Sequence, residues 1–445
     1  MHEQRKEDAS GADPGELFAE AVALHRQGRL QEAETGYVRV LQLLPGHPKI
    51  LGNLAALYQQ LGRLQEAASC CRQALAETPD DALLHLNLGA IHEEEGAPAA
   101  AEACYRRALE LEPRDARALN NLGKVLQQQG RGEEGEHCLR RALELVPDYP
   151  LALNNLGVIC GGQGRHDEAL DCFRRALELE PDSINALYNL AGVYNCLDRR
   201  DEAIAELRRL LALQSDHAPA RHMLAALSGE TTAAAPRDYV EETFDAYAGR
   251  FDRHLTERLQ YTVPKVLQGM VAAVVGDGQA VERMLDLGCG TGLAGEAFRP
   301  LVRQLHGIDI SAGMLAQAEA KKLYDMLERE DIAVWLESCN QSYDLVIATD
   351  VFVYIGCLDR IFAALGRCVA PGALLGFSIE RCDEGRDYRL RPSGRYAQSP
   401  GYIERLAAEH GWTILEHRRH GIRREEGEWI DGDLFLLRRR PDQNR

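Results

Sequence analysis

The chain has no basic surplus, no long apolar run and no Cys-x-x-Cys pair, and each absence closes off a class of function. Acidic residues outnumber basic ones by 69 to 51, a net charge of −18. The imbalance holds along the chain. Residues 1–230 carry 36 acidic against 24 basic side chains, and the remainder 33 against 27. Neither half has the positive excess that phosphate binding requires, so no nucleic-acid partner is expected. No stretch approaches the ~18 apolar residues of a membrane span, so no membrane partner is expected either. The opening residues Met1 to Asp8 are charged and lack the apolar core of a signal peptide. The twelve cysteines include no Cys-x-x-Cys spacing, and Cys70, Cys104, Cys138 and Cys172 stand 34 residues apart, so they are one repeat position. Equivalent places on stacked helices lie about 8–10 Å apart, beyond the ~7 Å reach of a disulfide. Free thiols in a reducing cytoplasm follow. His417 and His420 lack carboxylate or cysteine partners at metal spacing, so no metal is expected. The arginines near 418, 423 and 438–440 read as solvated.

What the chain does have is periodicity. Gly28, Gly62, Gly96, Gly130 and Gly164 are spaced by 34, as are Pro45, Pro79, Pro113, Pro147 and Pro181. Ala33, Ala67, Ala101, Ala169 and Ala203 share the period, with Gly135 filling the gap. Leu153-x-x-Leu156-Gly157, Ala169-x-x-x-Phe173 and Pro181 follow the tetratricopeptide pattern, and the first half resembles an array of about six such repeats. Each repeat is a helix pair whose glycine turns the chain and whose proline ends the second helix. No pair buries its apolar face alone, so neighbours stack. In repeat six Asp198 replaces the turn glycine and Ser215 the proline, and Pro219 to Leu227 suits a capping helix. Asn53, Asn87, Asn121, Asn155 and Asn189 recur on the first helices, which in this family line a concave groove. Such amides offer paired donors and acceptors to an extended peptide; equally, they could bond one another. The expected layout is a disordered 1–14, an array over 15–228, a linker over 229–237 and a second domain over 238–445.

The second domain is organised by Met284 to Gly292, Met-Leu-Asp-Leu-Gly-Cys-Gly-Thr-Gly. Strand, glycine turn and helix begin a doubly wound α/β unit, with ligands at the carboxyl ends of the strands. The third glycine comes one residue too early for a dinucleotide fingerprint, and Leu293 holds that place. Asp286 would repel a pyrophosphate but favours a ligand carrying an ammonium and a sulfonium. Asp309 ends the next strand, where an acid holds ribose hydroxyls. These residues resemble the S-adenosyl-L-methionine site of class I methyltransferases, a Rossmann-like fold of seven strands. The resemblance implies that Gly288, Cys289, Gly290 and Gly292 line the methionine moiety with Asp286 near it. It also implies that Asp309 and Ile310 take the ribose, while Met314 and Asp331 meet the adenine.

Between the halves, Phe244-Asp-x-Tyr247 and Phe251 resemble the aromatic helix that folds over the cofactor in this family. Tyr247 and Phe251 are lid candidates, with ordinary core packing as the alternative. Asp344–Ala348 reads as the fourth strand, so Asp350 and Tyr354 face the cleft on the acceptor side, and Glu380 should end the fifth strand at its edge. Tyr396 sits in a polar loop near them, and Tyr354, Glu380 and Tyr396 are the acceptor-side catalytic candidates. Taken whole, the chain resembles bacterial methyltransferases containing tetratricopeptide repeats. The implied function is methylation of a protein or peptide captured by the array. A small-molecule O- or N-methyltransferase with the array used for assembly, and a cofactor-sensing scaffold, are the alternatives.

Overall fold

The computed structural model describes residues 13–441, except 254, 257, 258, 277, 278, 383, 384 and 426 and the side chains of 242, 246, 247, 250 and 253. The expected disordered start therefore lies outside the described residues up to position 12, as does the side chain of Tyr247. The chain divides into two compact units, Met1–Asn189 and Leu190–Arg445.

The first unit is a succession of antiparallel helix pairs, from Pro14–Arg26 with Leu30–Leu43 to Pro150–Gly162 with His166–Leu179. The turn glycines at 28, 62, 96, 130 and 164 all have φ between +70° and +79°, a left-handed conformation that a Cβ disfavours. Asp198 adopts the same conformation at φ 55°, so the sixth pair keeps its turn without glycine. Within a pair the two helices touch through small residues. A Cβ on Gly157 would stand 2.7 Å from Phe173, and Gly123 and Gly135 meet backbone to backbone. Arginines at the period bridge neighbouring pairs: Arg63 bonds Glu66 and Glu34, Arg131 bonds Glu134 and Glu102, and Arg165 bonds Glu168 and Glu136.

The second unit centres on a mixed sheet whose strands are β1 (Val281–Leu287), β2 (Val302–Asp309), β3 (Met326–Arg329), β4 (Tyr343–Ala348), β5 (Val369–Arg381), β6 (Tyr388–Leu390), β7 (Tyr396–Gln398), β8 (Trp412–Glu425) and β9 (Glu428–Arg439). β3, β2, β1, β4 and β5 run parallel in that spatial order. β9 returns antiparallel along β5 and β8 along β9, which completes the seven expected strands. The polar loop around Tyr396 adds the short ribbon β6–β7 at the end of β5. The first helix after β1 is short, Leu293–Phe298, because Pro300 stops it and β2 starts at Val302.

Around the sheet edge the segment expected as a linker is pinned. Ala235 donates to the Tyr354 carbonyl at 3.0 Å, and the Cys357 amide donates to Ala233 at 2.8 Å. The helix Ala218–Ser228 packs alongside, with His222 Nε2 at 2.9 Å from the Gly394 carbonyl and its ring 4.9 Å from Tyr239. Burial holds the His222 pKa below its ordinary value.

The close approach at Gly157 makes a direct expectation. Gly157→Ala should cost about 1–3 kcal/mol through overpacking against Phe173, read as a lower denaturant midpoint at unchanged slope. An unshifted midpoint would show slack in the pair.

Candidate active site

The cleft opens at the carboxyl ends of β1, β2 and β4 and encloses about 1010 Å³ of empty space, its open mouth included. Gly288, Gly290 and Gly292 form its floor loop at φ 63°, 53° and 93°. A Cβ on Gly288 would meet Val351 at 2.6 Å, so the loop's conformation and its packing both require glycine there. Asp309 ties this loop to the next helix. Its Oδ2 accepts from Gly290 N at 2.8 Å and its Oδ1 from Ser311 N at 2.9 Å. Burial raises its pKa, and those backbone donors oppose the shift.

Asp286, two residues before Gly288, has no exposure to water. Tyr324 donates to its Oδ2 at 2.6 Å, while Oδ1 has no hydrogen-bond partner. Burial pushes its pKa from 3.8 to about 7, and the Asp309 charge adds to the rise. Tyr324 reaches it because glycines leave room: a Cβ at Gly295 or Gly307 would stand 2.5 or 2.8 Å from its ring or hydroxyl.

Over the cleft lies the helix Arg237–Tyr247 and the turn that follows. Two Phe-Asp pairs seven residues apart divide the work. Phe244 and Phe251 line the cleft, while each aspartate grips the sheet's loops. Asp245 Oδ1 accepts from Ser311 Oγ at 2.5 Å and Gly313 N at 3.0 Å. Asp252 accepts from Thr291 Oγ1 and, at 2.6 Å, from Lys321 Nζ.

Comparison with known proteins identifies two kinds of domain in this chain. Tetratricopeptide-repeat profiles match residues 24–90, 82–115, 114–182 and 162–227, and a methyltransferase-domain profile matches 285–375. This chain is a methyltransferase domain preceded by tetratricopeptide repeats. Part of it is 30% identical over 141 residues to trans-aconitate 2-methyltransferase of Pseudomonas aeruginosa strain UCBPP-PA14, covering 31% of this chain and 49% of that one. Another match is the ubiquinone biosynthesis O-methyltransferase of Bradyrhizobium sp. strain ORS 278, 35% identical over 98 residues, 21% of this chain and 38% of that one. The chain thus spans half or less of the length of these curated relatives. Among solved structures it is similar to the APC/C hetero-tetramer Cut9–Hcn1, at 20% identity and a TM-score of 0.46, over 50% of this chain and 44% of that one.

In the methyltransferase domain, Gly288, Cys289, Gly290, Asp309, Ile310, Asp331, Asp350 and Tyr354 border the cleft together. Asp331 caps the helix Ile332–Ser338, accepting from Ala333 N at 2.9 Å and Val334 N at 3.1 Å. Met314, fully buried in the helix Ala312–Ala320, is not among the lining residues, and neither are Gly292 and the fully buried Asp286, which lies behind the loop. Glu380 and Tyr396 do not border the cleft either. Tyr396 is buried with its hydroxyl 2.5 Å from Thr232 Oγ1. Glu380 is 2% exposed and bonded to Arg423 Nη2 at 2.5 Å.

Arg423 corrects the reading of a solvated arginine run. It is 1% exposed and also bonds Asp350 Oδ1 at 2.6 Å and Glu425 at 2.8 Å. A run of arginines carries no mark of the one that turns inward. His417 meets buried Asp433 at 2.8 Å across the β8–β9 hairpin, a single carboxylate contact. No metal-ligating cluster occurs among the described residues. Tyr261, which borders the cleft, and Tyr324 carry no sequence signal because a lone tyrosine has no spacing signature.

The asparagine ladder lies in the first unit, every member half-buried. Asn155 donates to Asn120 at 2.9 Å, Asn189 to Asn154 at 3.0 Å, and Asn53 to the Lys49 carbonyl at 2.8 Å. Several of its amides therefore bond neighbours, and each such amide retains a second N–H and carbonyl lone pairs.

The raised Asp286 pKa has a stability consequence. The folded chain holds this proton more tightly than the unfolded chain, so stability falls as pH rises from about 4 to about 7 and levels above. Asp286→Asn should therefore be more stable than the parent by a few kcal/mol at pH 8, with the gain gone by pH 4. Thermal melts across that range check it; a variant less stable at pH 8 contradicts it.

Proposed function

We propose that this chain is an S-adenosyl-L-methionine-dependent methyltransferase whose repeat array recruits a protein or peptide acceptor. The observation that carries the cofactor assignment is the buried, unpartnered Asp286 Oδ1 beside a left-handed glycine loop. A carboxyl so buried either takes up a proton or is compensated by a cation, and a cationic ligand would supply the second. Bound there, the cofactor supplies an electrophilic methyl group on a sulfonium, so the protein contributes mainly proximity and orientation. Asp286 answers the ammonium, and the open approach over Gly288 and Gly290 admits the methionine chain. Each Asp309 oxygen accepts one backbone bond and keeps lone pairs for the ribose hydroxyls. Ile310, Ile332 and Asp331 border the far end of the cleft, which suits the adenine. The Phe244 and Phe251 faces exclude water from above. The ladder Asn53, Asn87, Asn121, Asn155 and Asn189 is the proposed peptide surface. The cytoplasm, where the cysteines stay reduced, is the proposed location.

A small-molecule acceptor is the second reading. It is favoured by the acceptor end of the cleft, which is lined by Phe244, Val351, Tyr354 and Ile355 and so suits a compact apolar body. The names of the two relatives, which refer to trans-aconitate and ubiquinone biosynthesis, point the same way.

Asp309→Ala should weaken S-adenosyl-L-methionine binding about 10- to 100-fold, since it loosens the loop and removes the ribose acceptors. Calorimetric titration checks this, and unchanged affinity would remove the cofactor assignment. With radiolabelled cofactor and cell extract, label in a discrete protein band supports the array as recruiter. Label in small products alone replaces that reading with the second, and binding without any transfer removes the enzyme.

A further inference from the structure

Tyr261 borders the cleft beside Thr349 and Asp350, and its buried hydroxyl lies close to the Thr349 side chain with no full hydrogen bond to satisfy it. Nothing about the residue is loose. Its amide donates to Leu255 at 3.0 Å, the Leu259 carbonyl accepts from Arg424 N at 2.8 Å, and Thr262 Oγ1 lies 3.3 Å from His420 Nε2. The ring packs against the core beneath the helix Val263–Val275. A buried hydroxyl without a full hydrogen bond is costly, and one on a fixed residue that borders a cleft fits a ligand that satisfies it. Burial raises the phenol's pKa well above its ordinary value and the Asp350 charge adds to the rise, while the Thr349 side-chain hydrogen bond and the Arg423 charge oppose it. At neutral pH Tyr261 is therefore a donor, not a base, and it belongs to the β4 end of the cleft.

Asp350 faces the same space. It has φ 57°, a left-handed conformation that few non-glycine residues adopt, and its amide donates to Ser378 Oγ at 2.9 Å. Arg423 Nη1 holds its Oδ1 at 2.6 Å, and Glu380 and Glu425 hold Arg423. Strain persists where the surroundings over-determine it, typically at functional sites. The carboxylate keeps further lone pairs for a donor in the cleft it borders.

We propose that the acceptor atom is a hydroxyl oxygen, held between the Tyr261 hydroxyl as donor and the Asp350 carboxylate as acceptor. A hydroxyl oxygen has one proton to give Asp350, one lone pair to take the Tyr261 bond and one left to attack. A neutral amine has a single lone pair, and the Tyr261 bond would occupy it. A carboxylate has no proton to give and is repelled by Asp350. Transfer joins the methyl carbon to that oxygen, breaks the carbon–sulfur bond with its pair left on sulfur, and passes the hydroxyl proton to Asp350. Tyr261 is a positioning residue, and the inference rests on the transferase reading above. A protein Ser, Thr or Tyr and a small alcohol or phenol share this chemistry.

The test uses the full-length protein, methyl-labelled S-adenosyl-L-methionine and cell extract, with products separated by size. Each fraction is treated first with mild alkali, which frees methyl esters, then with hot hydriodic acid, which cleaves O-methyl ethers and spares N-methyl groups. Label resisting alkali and released by the acid is expected, in the protein fraction or the small-molecule fraction according to its source. Label lost to alkali, or retained through the acid, overturns the hydroxyl inference and leaves the transferase reading standing; no incorporation overturns both. Tyr261→Phe should cut acid-releasable label about tenfold, with S-adenosylhomocysteine affinity and melting temperature unchanged. Undiminished label in that variant also overturns it.

Discussion

A carboxylate held wholly out of water at the end of the central strand sets the terms for the rest of the methyltransferase domain. Asp286 receives one hydrogen bond, from Tyr324, and that tyrosine reaches it only because Gly295 and Gly307 leave a slot for its ring. The left-handed glycine loop follows within two residues, and Asp309 on the neighbouring strand fastens it. Strand order, glycine positions and one tyrosine thus converge on a buried carboxyl whose ionised form is costly. On the proposed reading that cost is relieved when a cationic ligand binds.

The cover and the acceptor end are built by a second set of charges. Asp245 and Asp252 tether the aromatic segment to Ser311, Gly313, Thr291 and Lys321, so Phe244 and Phe251 are held over the loop rather than packed into a separate core. On the other side Arg423 gathers Asp350, Glu380 and Glu425. Removing one partner from such a buried cluster leaves an uncompensated charge, so the group acts as one rigid support. Glu380 serves the cleft through Arg423, and Arg423 through Asp350.

Much of this was legible in the sequence where chemistry leaves a pattern. The 34-residue period specified the helix pairs, because each turn needs a left-handed residue at a fixed place. The sixth pair confirms the logic, since Asp198 takes that conformation where glycine is missing. The glycine loop, Asp286, Asp309 and the fourth strand were readable because turn geometry and parallel-strand burial constrain residue type. Pairings across distant segments left no such pattern. Arg423 sits in a run of arginines, and only the β8–β9 hairpin turns it inward. Tyr396 looked like a loop residue, and the β6–β7 ribbon buries it. Tyr261 lies in no motif, and its role comes from the fold bringing it to the end of β4.

On the proposed reading Asp286, half protonated near neutral pH, awaits a cationic ligand. Calorimetric titration of S-adenosyl-L-methionine at pH 7, in buffers of different ionisation enthalpy, measures the protons exchanged on binding. With the free pKa at about 7, binding that ionises Asp286 should release about half a proton per site, and Asp286→Asn should release none. Binding of the parent without proton release would contradict the account.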